Sequence, residues 1–277
     1  MALYIASLNS GSNGNCYYVG SGQDAVLVDA GISCRETERR MKRLDLDITR
    51  VRAIFISHEH IDHISGLRVL SKKYQLPVYI TPATERSGNL ALEKNLVRPF
   101  VDNSIVTVGS LTVIPFTKEH DADDPHSFVI ASAGIRVGVF TDIGIACERL
   151  THHFKHCHAA FLEANYDRDM LMNGDYPAHL KKRISGGVGH LSNDQALELF
   201  KRHRPAFMTH LVLSHLSQNN NKPEIVDQLF QKHAGETTII VASRYQESEV
   251  YTIDGEPVPV GKAEFRPRQK PTQLSLF

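Results

Sequence analysis

Ser57-His58-Glu59-His60-Ile61-Asp62-His63 packs the imidazoles of His58, His60 and His63 and the carboxylate of Asp62, with Glu59 among them, into the six residues from His58 to His63. It follows the apolar run Val51-Arg52-Ala53-Ile54-Phe55-Ile56, which reads as a buried strand, and Ile64, Leu67 and Leu70 then recur at helical spacing. The cluster therefore marks a strand end and a helix start. In extended chain His58 and His60 point to one side, whereas Asp62 and His63, at the helix start, aim at a second point. Two ligand pairs aimed at neighbouring points are what a two-metal site requires, and four good ligands at this density are rare outside metal sites.

Working outward, 277 residues at 42% hydrophobic content suffice for one large core or two modest ones. Apolar strands alternate with amphipathic helices, which argues for an α/β protein. Lys+Arg and Asp+Glu are both 31, so net charge announces no nucleic acid and any basic surface must be local. Cys16, Cys34, Cys147 and Cys157 show no zinc-knuckle or redox spacing and read as reduced cytosolic thiols. No leader pattern opens the chain and no apolar run is long enough to span a bilayer, so a soluble, cytoplasmic protein without a membrane partner is expected.

The remaining chemistry sits at successive strand ends. Asp29 closes the strand Ala25 to Val28 and is expected to hydrogen-bond the metal-bearing loop. His120 follows the hairpin strand ending at Phe116 and supplies a fifth ligand. Asp142 follows Ile135 to Phe140, and its two oxygens make it the natural bridge between two cations. A regular strand from Pro205 to Leu216 sends His210 and His215 to opposite faces; His215, at the strand end, is the one expected in the site. His152, His153 and His156 read as surface residues of a helix running from about Gly144 to Lys155. Glu163 lies in an apolar strand and needs a partner there. His190 lies in the glycine-rich loop before the capping box of Ser192 and Gln195, where a phosphate would be stabilised.

One metal is thus assigned His58, His60 and His120, the other Asp62, His63 and His215, with Asp142 between them. Imidazole and carboxylate donors without thiolate suit Zn²⁺, the expected ion, and accommodate Mn²⁺ or Fe²⁺. Two cations about 3.5–4 Å apart acidify a bridging water and clamp the attacking and leaving oxygens. The expected chemistry is hydrolysis with a metal-bridging hydroxide as nucleophile, which needs no Ser or Cys nucleophile.

His58-x-His60-x-Asp62-His63, followed by His120, Asp142 and His215, resembles the metallo-β-lactamase superfamily, whose fold is an αββα sandwich; the likeness runs from Leu8 to about residue 253. More narrowly, Gly11-Ser12-Asn13-Gly14-Asn15-Cys16, Leu162-Glu163-Ala164-Asn165-Tyr166-Asp167, Gly189-His190-Leu191-Ser192-Asn193 and Ser214-His215-Leu216-Ser217-Gln218-Asn219-Asn220 resemble the YycJ/WalJ branch. That resemblance implies a two-metal phosphodiesterase, a 5′→3′ DNA exonuclease acting in DNA repair. In phosphodiesterase members such as RNase Z, a glutamate after the bridging aspartate works with a Gly-His-Ser-type histidine. The resemblance therefore implies that Glu163 orients His190 against the scissile phosphate or leaving oxygen, with Asp62 completing the catalytic set. Only 47 residues separate Asp142 from His190, too few for the β-CASP insertion of RNase J. The expectation is one hydrolase domain over residues 1–255, with Lys181, Lys182, Arg183 and Ser192 as substrate contacts. An RNA-processing nuclease, or a phosphodiesterase of small or cyclic nucleotides, is the alternative.

Residues 256–277 read as a flexible basic tail carrying Lys262, Arg266, Arg268 and Lys270. It ends in Gln273-Leu274-Ser275-Leu276-Phe277, which is similar to the short peptide by which bacterial replication and repair proteins dock on the sliding clamp. The tail thus implies that clamp as a partner beside DNA.

Overall fold

The fold is that of a computed structural model of the chain, which describes residues 2–258. The tail residues Gln273, Leu274, Ser275, Leu276 and Phe277 lie outside the described residues. Two seven-stranded mixed sheets face each other. The first holds β1 (Leu3–Asn9), β2 (Cys16–Gly20), β3 (Ala25–Val28), β4 (Val51–Phe55), β5 (Val78–Tyr79) and β6 (Val97–Arg98). The second holds β7 (Val106–Val108), β8 (Leu111–Thr117), β9 (His126–Ser132), β10 (Ile135–Phe140), β11 (Ala159–Glu163), β12 (His210–Ser214) and β13 (Thr238–Val241). The chain then returns to the first sheet, where β14 (Tyr251–Ile253) pairs antiparallel with β1.

Period-two alternation explains the layering, because both faces of each sheet are apolar. Ile5, Tyr17, Val19, Val26, Val28, Ala53 and Phe55 meet Val137, Val139, Ala159, Phe161 and Val212 between the sheets. Their neighbours Leu8, Cys16, Tyr18, Leu27 and Ile54 point outward, under helices α1 (Cys34–Arg43) and α3 (Leu67–Tyr74). The short α2 (Ile61–Ile64) and α4 (Pro82–Ser87) complete that half. On the second sheet Phe116, Phe140, Ala160, Leu162, Leu211 and Leu213 point outward beneath α5 (Glu148–Phe154), α8 (Asn193–His203) and α9 (Pro223–Gln231). Between α5 and α8 lie α6 (Arg168–Asn173) and α7 (Ala178–Ser185). This is the expected αββα sandwich, without a β-CASP insertion.

Three local expectations are corrected. Helix α5 starts at Glu148 rather than about Gly144, because Asp142 is left-handed (φ 56°) and the Gly144 N–H donates across to Glu119 O at 2.6 Å. Strand β12 starts at His210 rather than Pro205; Pro has no N–H for a ladder, and Met208 N–H instead donates back to Pro205 O at 3.1 Å. His153 is buried, not a surface residue: it shares a helix face with Leu150 and Phe154 and stacks on Phe116 at 4.1 Å. Burial pushes its imidazole down to about 3.

Strands β3 and β4 are parallel, as are β10, β11 and β12. Their C-terminal ends, with that of β8, open on one edge of the sandwich, the place where open α/β sheets bind ligands.

Candidate active site

The strand ends converge on one buried cluster. His58, His60 and His120 each present a ring nitrogen within 4.8 Å of the others, and a carboxylate oxygen of Asp62 lies equally close to ring nitrogens of His63 and His215. Asp142 stands between the two sets. Its Oδ2 is 3.2 Å from His63 Nε2, and its Oδ1 is 3.4 Å from His215 Nδ1 and 3.9 Å from His120 Nε2. Asp29, Asp142 and His215 all sit just beyond their strands in left-handed backbone, at φ 62°, 56° and 57°. That conformation turns each side chain out of the ladder and into the edge; it is uncommon for residues other than glycine and is tolerated best by Asp and Asn.

Four imidazoles have their Nδ1 held by an acceptor, which turns Nε2 toward the cluster. His58 Nδ1 donates to Ser57 Oγ at 2.9 Å, His63 Nδ1 to Asp29 Oδ2 at 2.7 Å, His120 Nδ1 to Gly189 O at 2.9 Å and His215 Nδ1 to Glu163 Oε1 at 3.1 Å. The sequence expectation for Asp29 is thereby met in space: its other oxygen accepts the Ser57 N–H at 2.8 Å. His60 differs, since its Nδ1 lies 3.0 Å from His58 Nε2.

The electrostatics suit divalent cations. Burial raises the Asp62 carboxyl, but His63 and His215 outweigh it and hold Asp62 well below the usual carboxylate range. Burial likewise lowers His215, yet Asp142, Asp62 and Glu163 carry it up to about 10; His63 is raised in the same way by Asp142, Asp29 and Asp62. Buried carboxylates thus hold protons on histidines that a metal would displace. Within the cluster, His120 Nε2 is buried without a hydrogen bond, a state that costs about 1–3 kcal/mol for a buried polar group. The donor set fits two divalent metal ions.

Glu163, fully buried at the end of β11, accepts from His190 Nδ1 at 2.7 Å as well as from His215, and its Oε2 accepts the N–H groups of Ile143 at 2.7 Å and Leu191 at 3.2 Å. Burial raises its carboxyl, but His190 and His215 prevail and bring it to about 2. His190 keeps 22% of its side chain exposed.

The expected substrate contacts fare differently. Helix α7 runs beside the site, since the residue after Gly189 donates its N–H to Ile184 O. Lys182 on it is exposed, whereas Arg183 Nε pairs with Asp121 Oδ2 at 2.5 Å and Lys181 Nζ donates to Met172 O at 2.8 Å. Ser192 is fully buried and its hydroxyl caps α8 by accepting the Gln195 N–H, so it serves the helix rather than an open surface.

Sequence reasoning gave no role to Asn15 or Lys118. Asn15 Nδ2 lies 3.1 Å from both Asp62 Oδ2 and His63 Nε2. The approach is close enough that a Cβ on Gly31 would lie 1.7 Å from Asp62 O, so glycine is required there. Lys118 is buried and donates to Thr141 O at 2.7 Å; burial lowers its pKa against the pull of Asp142 and Asp29. Its signal in sequence was alternation, two residues before His120 at the same strand end.

Residues 24–216 match the Beta-lactamase superfamily domain. The chain is 36% identical to Exodeoxyribonuclease YycJ of Bacillus anthracis over 230 residues, covering 81% of this chain and 86% of that one. The chain belongs to the metallo-β-lactamase superfamily, in its YycJ/WalJ branch. A second member of the branch, Exodeoxyribonuclease WalJ of Streptococcus pneumoniae, is 31% identical over 238 residues, with 82% of this chain and 88% of that one covered. Among solved structures, the metallo-β-lactamase fold protein YhfI of Bacillus subtilis superposes with a TM-score of 0.71 at 16% identity, over 91% of this chain and 100% of that one, and shares the superfamily fold. No helix among the described residues is long and apolar enough to cross a membrane.

Proposed function

We propose that this chain is a two-metal exodeoxyribonuclease that shortens DNA from a 5′ end in the cytoplasm. The names of its relatives in the YycJ/WalJ branch support the polynucleotide. The observation that carries the phosphodiester chemistry is the Glu163–His190 pair, a fully buried carboxylate holding a partly exposed imidazole at 2.7 Å beside the ligand cluster.

His58, His60 and His120 would hold one cation, Asp62, His63 and His215 the other, and Asp142 both; when bound, such cations supply an acidified water and a positive field for a phosphate. Zn²⁺ suits these donors, with Mn²⁺ or Fe²⁺ also accommodated. The chain's own residues do the rest. Asp29 and Glu163 fix the tautomers of His63 and His215. Glu163 also holds the Nδ1 proton of His190, so that His190 can carry a second proton on its outward edge and give it to the leaving oxygen. Lys182, exposed on α7, would contribute a cation for a backbone phosphate.

The test is incubation of the metal-loaded protein with end-labelled single- and double-stranded DNA and RNA, beside Asp62→Ala. Stepwise shortening of DNA that the variant loses supports the reading. Cleavage of a small bis-aryl phosphodiester with every polynucleotide left intact defeats it. A role in DNA repair at the sliding clamp rests on Gln273 to Phe277. Deleting those five residues should abolish capture by a purified clamp and leave the melting temperature unchanged; a lower melting temperature with capture intact would make the peptide part of its own domain.

A further inference from the structure

The turn after β1 and the loop after β12 flank the ligand cluster, and between them lies a cavity of about 320 Å³ whose lining includes Ser10, Ser217, Gln218, Ser243 and Arg244. The cavity shares a wall with the site, because the Ser10 hydroxyl accepts the His215 N–H at 2.7 Å. Gly11 connects them further. Its N–H donates to Asn15 Oδ1 at 3.0 Å, and a Cβ on Gly11 (φ 143°) would lie 2.8 Å from Arg244 Nη2. The guanidinium therefore stands one loop away from Asp62.

Arg244 is only 9% exposed, yet its partners are neutral. Nη1 donates to Gln218 Oε1 at 2.7 Å and Nη2 to Ser12 Oγ at 3.0 Å, while Nε is buried with no acceptor. No carboxylate pairs with Arg244 among the described residues. Arg40 shows what a structural arginine looks like in this protein. It is equally buried, but it pairs with Glu36 Oε1 at 2.6 Å and donates to Leu8 O and Asn9 Oδ1. A buried guanidinium without a counter-charge is expensive, and its planar fork matches phosphate oxygens two at a time.

We propose that Arg244, with Ser12 and Gln218 beside it, is a phosphate subsite that holds the DNA strand next to the cutting position. The proposal rests on the nuclease reading. The phosphate recognised is either the terminal monoester or the first internal diester; the recognising chemistry is the same, and the substrate distinguishes them.

The full-length, metal-loaded protein, Arg244→Met and Arg244→Lys would be compared on strands that differ only in a 5′-phosphate or 5′-hydroxyl, with kcat, KM and melting temperature measured. Arg244→Met should raise KM ten- to hundredfold at nearly constant kcat without lowering the melting temperature, and Arg244→Lys should recover part of the loss. A terminal subsite appears as a wild-type preference for the 5′-phosphate that Arg244→Met erases; an internal one appears as an equal rise in KM on both strands. Unchanged KM on both, or a joint fall in kcat and melting temperature with KM unchanged, overturns the proposal and makes Arg244 a tie between loops. If the wild type cleaves neither strand, the nuclease reading alone fails. The subsite is then judged by fluorescence anisotropy of the same strands: at least tenfold weaker binding to Arg244→Met supports it, and equal Kd values overturn it.

Discussion

Asp29→Asn isolates the orientation of a single imidazole. Asp29 is fully buried in left-handed backbone at φ 62°, a conformation asparagine also adopts readily, so the main chain has no reason to move. Its Oδ1 accepts the Ser57 N–H at 2.8 Å, and its Oδ2 accepts the Ser57 hydroxyl at 2.9 Å and the His63 Nδ1 proton at 2.7 Å. The backbone N–H of Ser57 cannot turn away, so it keeps the amide oxygen and the new NH₂ group faces His63. His63 can accept from that group only by moving its proton to Nε2. That atom lies 3.2 Å from Asp142 Oδ2 and 3.5 Å from Asp62 Oδ2, where a ligand must be bare. Losing such an orienting carboxylate costs about 10–100-fold in metal affinity, roughly 1.4–2.7 kcal/mol. The assay is competition for Zn²⁺ against a chelating dye, with circular dichroism confirming that the variant is folded. Two equivalents bound to a folded Asp29→Asn protein at wild-type affinity would refute the reasoning.

Glu163→Gln should lower the rate on DNA by about 100-fold or more, because two imidazoles and two backbone N–H groups share one carboxylate; an unchanged kcat would remove the Glu163–His190 pair from the chemistry. In metal-free protein, His215 stands at about 10 against its ordinary 6.5, so the folded state binds a proton that the unfolded chain has released, and stability is lost as pH rises from about 6.5 to about 10, by up to ~1.4 kcal/mol per unit. Metal displaces that proton, so the melting temperature of chelated protein should fall between about pH 7 and 9 while that of metal-loaded protein stays nearly level; an equal fall in both contradicts the assignment of His215 as a ligand. Gly31→Ala, which places a Cβ 1.7 Å from Asp62 O, should halve the metal stoichiometry or prevent folding, and two equivalents bound in a folded variant would show that the Asp62 loop can shift without loss.

The sandwich was legible because strands such as Val26 to Val28 and Ala159 to Leu162 are apolar on both faces, and a two-residue period has one reading in extended chain. The convergence of the candidate ligands was legible for a different reason: side chains at consecutive strand ends converge whatever the details of the loops between them. What stayed hidden depends on distant contacts. Asn15 meets Asp62 across 47 positions, and Arg244 meets Ser12 across 232; Asn15 lies in a recognised motif that does not reveal its partner, and no local pattern marks Arg244. His153 was misread because a histidine carries no sign in sequence of whether its ring lies on Phe116 or in water. Ser192 was legible as a helix cap, and capping accounts for its hydroxyl.

The left-handed residues at 29, 142 and 215 have an evolutionary consequence. Each holds its backbone in a well that glycine would occupy at a gain of about 1–2 kcal/mol per residue, less for the two aspartates. Selection for thermal stability alone, with no demand for turnover, has its easiest gains at these positions, and every such gain deletes a proposed metal donor or the partner of one. A library screened only for heat resistance should therefore drift toward a hardier sandwich with an inert edge, and the order in which Asp29, Asp142 and His215 are lost would rank the strain that each now carries.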